Sequence, residues 1–164
     1  MEIEAKYRVA DRSLLSRLLQ LQQLGRFTLI PHSTREEQQN SYYDTPDSLL
    51  TTQRMSLRIR EQHNQRTATL KRSLGGNQGL HIREEWETDI GAIMPPHHWP
   101  ASEARTRLLA LIGERPLIEL FRIRTLRQRI AVHDHQVQVA ELAFDIGHIR
   151  AGGRIWAFVS LRLS

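Results

Sequence analysis

The chain has 164 residues, enough for one domain with one sizeable core, and no cysteine, which excludes a disulfide framework or thiolate metal site and fits the cytoplasm. Its start is acidic and polar, and no apolar run approaches the roughly 18 residues that a membrane span needs, so a soluble protein without a membrane partner is expected. A net charge of +5 would ordinarily raise nucleic acid as a partner; here many basic residues alternate at strand spacing with carboxylates instead of forming a single-sign run, and that partner is not expected.

Residues 1–8 read as a strand. Glu2, Glu4, Lys6 and Arg8 share one face, while Ile3, Ala5 and Tyr7 share the other. Asp11 is a candidate N-cap for a helix whose leucines Leu14, Leu15, Leu18, Leu19 and Leu21 form a core-facing stripe, with a stop near Gly25. Residues 27–44 read as one long or two short strands. Thr45 is held extended by Pro46, and Asp47 or Ser48 can start a helical turn through Leu49 and Leu50.

Two strands, 54–62 and 66–73, make a hairpin around His63-Asn64-Gln65. Ser56, Arg58 and Arg60 alternate with Leu57 and Ile59, and Thr67, Thr69 and Lys71 with Ala68 and Leu70. The Gly75–Gly79 turn reads as a connection into a strand that sets His81, Arg83, Glu85 and Glu87 against Ile82 and Trp86; no helix or GKS/T motif follows that would mark a phosphate loop. Pro95, Pro96 and Pro100 interrupt residues 91–101, and His97-His98 reads as a solvated pair. A helix over 102–112 closed by Gly113 precedes strands at 118–132 and 136–145 and a last strand from Arg154. There Arg127 and Arg129 alternate with Ile130 and Val132, and Glu141 and Asp145 with Leu142 and Phe144.

Five or more strands thus carry a face with both signs of charge. Outward-facing charges would mark ordinary half-buried strands. Inward-facing ones would close the sheet into a barrel with a polar lumen and helices packed outside. Such a lumen suits a highly charged ligand, with Lys and Arg on phosphate oxygens and Glu and Asp holding Mg²⁺ or Mn²⁺. Of 23 cationic residues only Lys6 and Lys71 are lysine, and both fall on these charged faces.

Glu2-x-Glu4-x-Lys6, Tyr43-Asp44-Thr45-Pro46-Asp47, Leu57-Arg58-Ile59-Arg60, Thr69-Leu70-Lys71, Gly79-Leu80-His81-x-Arg83-x-Glu85 and Ala143-Phe144-Asp145-x-Gly147 together resemble the CYTH superfamily, the triphosphate tunnel metalloenzymes, and bacterial inorganic triphosphatases among them. The resemblance covers essentially the whole chain, residues 1–164, as a single domain. It implies an α+β, mainly antiparallel, eight-stranded closed tunnel that hydrolyses inorganic triphosphate or another triphosphate with Mg²⁺ or Mn²⁺. By position it assigns Glu2 and Glu4 to the metal and Lys6, with Glu4, to the attacking water. Lys6, Arg58, Arg60, Lys71, Arg83, Arg127 and Arg129 fall to phosphate, and Glu85, Glu87, Glu141 and Asp145 to further acidic positions of a metal-binding wall.

The last strand departs from the resemblance. Relatives typically end in alternating glutamates, whereas this chain reads Phe158-Val159-Ser160-Leu161-Arg162-Leu163-Ser164. An inward Arg162 is expected to repel a metal ion and to add positive charge to the lumen. Alternatives to the hydrolase are a degenerate tunnel that binds polyphosphate or nucleotide without turnover, and class IV adenylate cyclase or thiamine triphosphatase activity on the same fold.

Overall fold

The computed structural model of the chain describes residues 5–9, 13–75, 82–92 and 95–164; the backbone of Ala5, Lys6, Arg8, Ile82 and Arg83 is included, but not their side chains. The fold is α+β and dominated by antiparallel strands. It divides into two compact units, one of Met1–Gln38, Arg124–Ile149 and Ile155–Ser164, the other of Gln39–Ile123 and Arg150–Arg154. No helix among the described residues is long and apolar enough to cross a membrane.

In the first unit β1 (Ala5–Arg8) is followed by α1 (Ser13–Gln20), β2 (Gln23–Leu24) and β3 (Phe27–Pro31). Most of three long strands contributes the rest: β8 (Ile118–Asp134), β9 (Val137–Ala151) and β10 (Arg154–Leu163). The order is β1-β10-β9-β8, with β3 also paired to β8 and β2 to β3. Leu15 and Leu18 of α1 pack with Leu29, Ile130, Val132, Phe144 and Val159, and Leu14 and Leu19 flank that core. This is the stripe read in the sequence, each buried leucine contributing about 1.5–3 kcal/mol. Leu21 lies beyond the helix end and is exposed. Gly25 does not cap α1 either: the helix ends at Gln20, and Gly25, at φ +60, turns β2 into β3.

The second unit holds most of β4 (Glu36–Asp44), α2 (Leu49–Thr52), β5 (Met55–Gln62), β6 (Gln65–Gly75), β7 (Ile82–Asp89) and α3 (Glu103–Ile112), with strand order β4-β5-β6-β7. Residues 27–44 therefore form two strands. Gln62 pairs with Gln65 across His63 and Asn64, whose φ values of 48 and 62 give the double left-handed turn that matches the twist of a tight hairpin. Ser102 caps α3 by accepting from the Arg105 N–H at 3.2 Å, and Gly113, at φ 59, ends it.

Leu57, Ile59, Ala68 and Leu70, the apolar face of the hairpin, pack with Leu50 of α2, Ile90, Trp99, and Leu108 and Ile112 of α3. The charged residues of the same strands therefore lie on the opposite face. Within each unit the strand path has an end, β1 in the first and β7 in the second, among the described residues.

Gly147 of the Ala143-Phe144-Asp145-x-Gly147 motif is a packing residue. A Cβ there would run into the backbone carbonyl of Arg124 and come within 2.9 Å of the Phe158 ring. A ring edge can yield, but a strand carbonyl cannot without breaking its pairing. Gly147→Ala should cost about 3 kcal/mol, the upper end of overpacking, and lower the melting temperature by roughly 6–12 °C. A thermal melt within 2 °C of wild type would show that β8 shifts freely.

Candidate functional site

Tight hairpin register brings the charged residues of β5, β6 and β7 into rows across the strands. Tyr42, Arg58, Thr69 and Glu87 form one row, Asn40, Arg60, Thr67 and Asp89 the next, and Ser56, Lys71 and Glu85 a third. Directly opposed side chains lie within interaction range. Lys71 Nζ meets Glu85 Oε1 at 2.7 Å. Thr69 Oγ1 donates to Glu87 Oε1 at 2.8 Å and accepts from Arg58 Nη2 at 3.0 Å, and Arg58 Nη2 lies 3.5 Å from Glu87. Arg60 Nε donates to Asn40 Oδ1 at 3.0 Å.

Arg58, Arg60, Gln62, His63, Gln65, Thr67 and Glu87 line a cavity of about 310 Å³ on this face. Arg58 is only 12% exposed at its side chain, and its buried Nε–H has no acceptor among the described residues. A buried charged donor without a partner costs about 1–3 kcal/mol or more.

The first unit carries its own charged cluster. Asp145, 3% exposed, accepts at Oδ1 from Arg127 Nε at 2.7 Å, and at Oδ2 from Arg127 Nη2 at 2.9 Å and Arg162 Nη2 at 3.0 Å. Arg129 spans Glu36 at 3.0 Å and Glu141 at 3.2 Å. Burial would raise the Asp145 carboxyl, but the hydrogen bonds and charges of Arg127 and Arg162 prevail and hold it below the usual carboxylate range. Burial would likewise lower Arg127, yet the bond to and charge of Asp145 raise it. Arg162, expected from the sequence to add positive charge to a lumen, shares the Asp145 carboxylate with Arg127. Glu36 went unread as a member of this cluster, although Glu36, Gln38 and Asn40 alternate at strand period.

A third carboxylate has a different role. Asp44 is 1% exposed and accepts the backbone N–H groups of Thr45 and Leu50 at 2.8 Å and of Thr51 at 3.0 Å, with the Thr51 hydroxyl at 2.7 Å. It anchors the start of α2, a task the sequence suggested for Asp47 or Ser48. Ser48 sits there with a left-handed backbone and makes no side-chain cap.

Glu2 and Glu4 lie outside the described residues. Lys6 and Arg83 are described at the backbone alone, Lys6 in register with Arg162 and Arg83 with Ser73. Among the described residues no three His, Asp or Glu side chains stand together so as to hold a metal ion. Glu85, Glu87, Glu141 and Asp145 each face a cation of their own unit, so the described carboxylates do not by themselves fit a divalent ion. His97 and His98 are mutual neighbours, with ring centroids 4.1 Å apart.

The family model for the CYTH domain matches residues 1–162. The chain is 32% identical over 133 residues to an inorganic triphosphatase of Haemophilus influenzae, covering 80% of this chain and 36% of that protein, so it spans about a third of that relative's length. In fold it is similar to a candidate adenylyl cyclase of Hippeastrum whose dominant activity is as a triphosphatase, at TM-score 0.63 and 21% identity over 99% of this chain and 79% of that one. A candidate adenylate cyclase of Bacillus halodurans superposes with TM-score 0.58 and 23% identity at the same coverage.

Proposed function

This chain belongs to the CYTH domain family, and on that premise we propose that residues 1–164 act as one triphosphate tunnel domain that hydrolyses inorganic triphosphate. The observation that carries this reading is the cavity lined by Arg58 and Arg60, where a mostly buried guanidinium has an Nε–H with no acceptor among the described residues. A small polyanion suits a cavity with two guanidiniums in its lining. The similarity to an inorganic triphosphatase supports the choice of substrate.

In this reading Arg58, Arg60 and Lys71 bind phosphate oxygens, with Arg83, Lys6, Arg127 and Arg129 completing the cationic set, and the charged faces turn into one closed eight-stranded tunnel. Phosphate oxygens accept from the Arg58 fork and from Lys71, displacing Glu87 and Glu85 as their counter-ions. Lys6, with Glu4, orients water for in-line attack on the terminal phosphorus. The new P–O bond forms as the bridging P–O bond breaks, giving phosphate and diphosphate. Mg²⁺ or Mn²⁺ is assigned to Glu2 and Glu4 and would supply charge neutralisation to the phosphates when bound there.

A second reading, binding without turnover, is favoured by Arg162 standing on Asp145. Phosphate release from tripolyphosphate, ATP and thiamine triphosphate, with and without Mg²⁺ or Mn²⁺, separates the readings. Hydrolysis of tripolyphosphate above the other two, abolished in Glu4→Gln, is expected. Saturable tripolyphosphate binding with no release under any metal would establish the second reading instead.

A further inference from the structure

Among the described residues the charged cluster of the first unit is balanced. Glu36, Glu141 and Asp145 face Arg127, Arg129 and Arg162, and each carboxylate meets at least one guanidinium within 3.2 Å. Asp145 has both oxygens engaged, one of them twice. A hard divalent ion needs carboxylate lone pairs and a site whose surrounding charge is negative. At Asp145 it would meet two guanidiniums already in hydrogen-bond contact, and like charges at that range repel strongly where the site is dry.

The two arginines are not equivalent. Arg127 is 8% exposed, binds through two nitrogens and cannot leave without stranding a buried charge. Arg162 comes from β10, reaches Asp145 through one nitrogen and is 29% exposed at its side chain. It is the removable lock.

We propose that Arg162 is a resident counter-cation of Asp145: together with Arg127 it closes that carboxylate, and not the positions assigned to Glu2 and Glu4, to divalent ions. Arg162 is thereby a positioning residue, acting through Asp145. The inference goes beyond triphosphate hydrolysis and is tested by metal binding, so it stands or falls separately from turnover.

The experiment is calorimetric titration of Mn²⁺ into the full chain without substrate, paired with melting curves in EDTA and in Mn²⁺, for wild type, R162E, R162K and D145N. R162E should bind one more equivalent of Mn²⁺ than wild type and melt several degrees higher in Mn²⁺ than in EDTA. R162K, which keeps the positive charge, should match the wild-type stoichiometry, as a purely geometric role for the guanidinium would not require. D145N should bind Mn²⁺ within about twofold of wild type. A loss of about tenfold or more in D145N, the size seen when a metal site is disturbed, would make Asp145 a ligand and overturn the proposal. Should D145N fail to fold, R162E decides, since a stoichiometry equal to wild type overturns it too.

Discussion

Asp44→Ala should lower the melting temperature by roughly 8–16 °C, corresponding to about 4 kcal/mol in a chain of this size. The carboxylate takes five hydrogen bonds, the longest from the Thr45 hydroxyl at 3.5 Å, and two of its donors, the N–H groups of Thr45 and Leu50, are buried with it. Alanine would leave those donors without acceptors, at about 1–3 kcal/mol each, and would release the first turn of a four-residue helix whose Ser48 offers no replacement cap. Asparagine is no cure. Its amide nitrogen would face N–H donors, so Asp44→Asn should recover less than half of the loss.

The same residue sets a pH dependence. Burial would raise the Asp44 carboxyl, but the Thr51 hydroxyl and the N–H groups of Leu50, Thr51 and Thr45 outweigh it and hold its value below the ordinary carboxylate range. A depressed folded-state value means that the contribution is complete above the unfolded value, about 3.9, and is lost as pH falls through the folded one. Melting curves of wild type and Asp44→Ala should therefore stay well separated at pH 6–7 and converge below about pH 4. A gap that persists unchanged at pH 3 would mean that packing, rather than the charge, is what alanine removes.

Period-two alternation revealed which strands carry charge and which face it occupies, because side-chain direction along a strand follows from backbone geometry alone. Leu57, Ile59, Ala68 and Leu70 are buried as that alternation required, and the short turn at His63-Asn64 fixed the register that joins Lys71 to Glu85. What alternation does not convey is the partner. In one dimension Asp47 and Ser48 are the candidate caps; the observed anchor is Asp44, because it ends β4 with its carboxylate beneath the first turn of α2. Arg162 looked like an uncompensated charge because its position on β10 was legible while the distance to Asp145 on β9 was not. Gly25 was taken for a helix stop since a left-handed glycine serves a hairpin as readily as a helix end.

Arg58→Ala should raise the KM for tripolyphosphate roughly 10- to 100-fold, the effect of losing charge-assisted hydrogen bonds of about 1.5–3 kcal/mol, while leaving the fold nearly untouched. Both halves follow from the same contacts. Thr69 Oγ1 keeps its bond to Glu87 at 2.8 Å when Arg58 is removed, and Glu87, 53% exposed at its side chain, remains solvated. The native state therefore loses a guanidinium whose Nε–H has no acceptor among the described residues. In the complex, by contrast, alanine forfeits the planar fork that matches phosphate oxygens. Arg58→Lys should recover only part of the affinity, because an ammonium supplies the charge without the paired donor geometry. Lys71→Ala should act in the same direction through the neighbouring row. Steady-state phosphate release across a tripolyphosphate titration, set beside thermal melts of the same variants, measures both halves. An unchanged KM with an unchanged melting temperature would place the phosphates away from this cavity, and a KM effect that merely tracks a large fall in melting temperature would make Arg58 a structural residue.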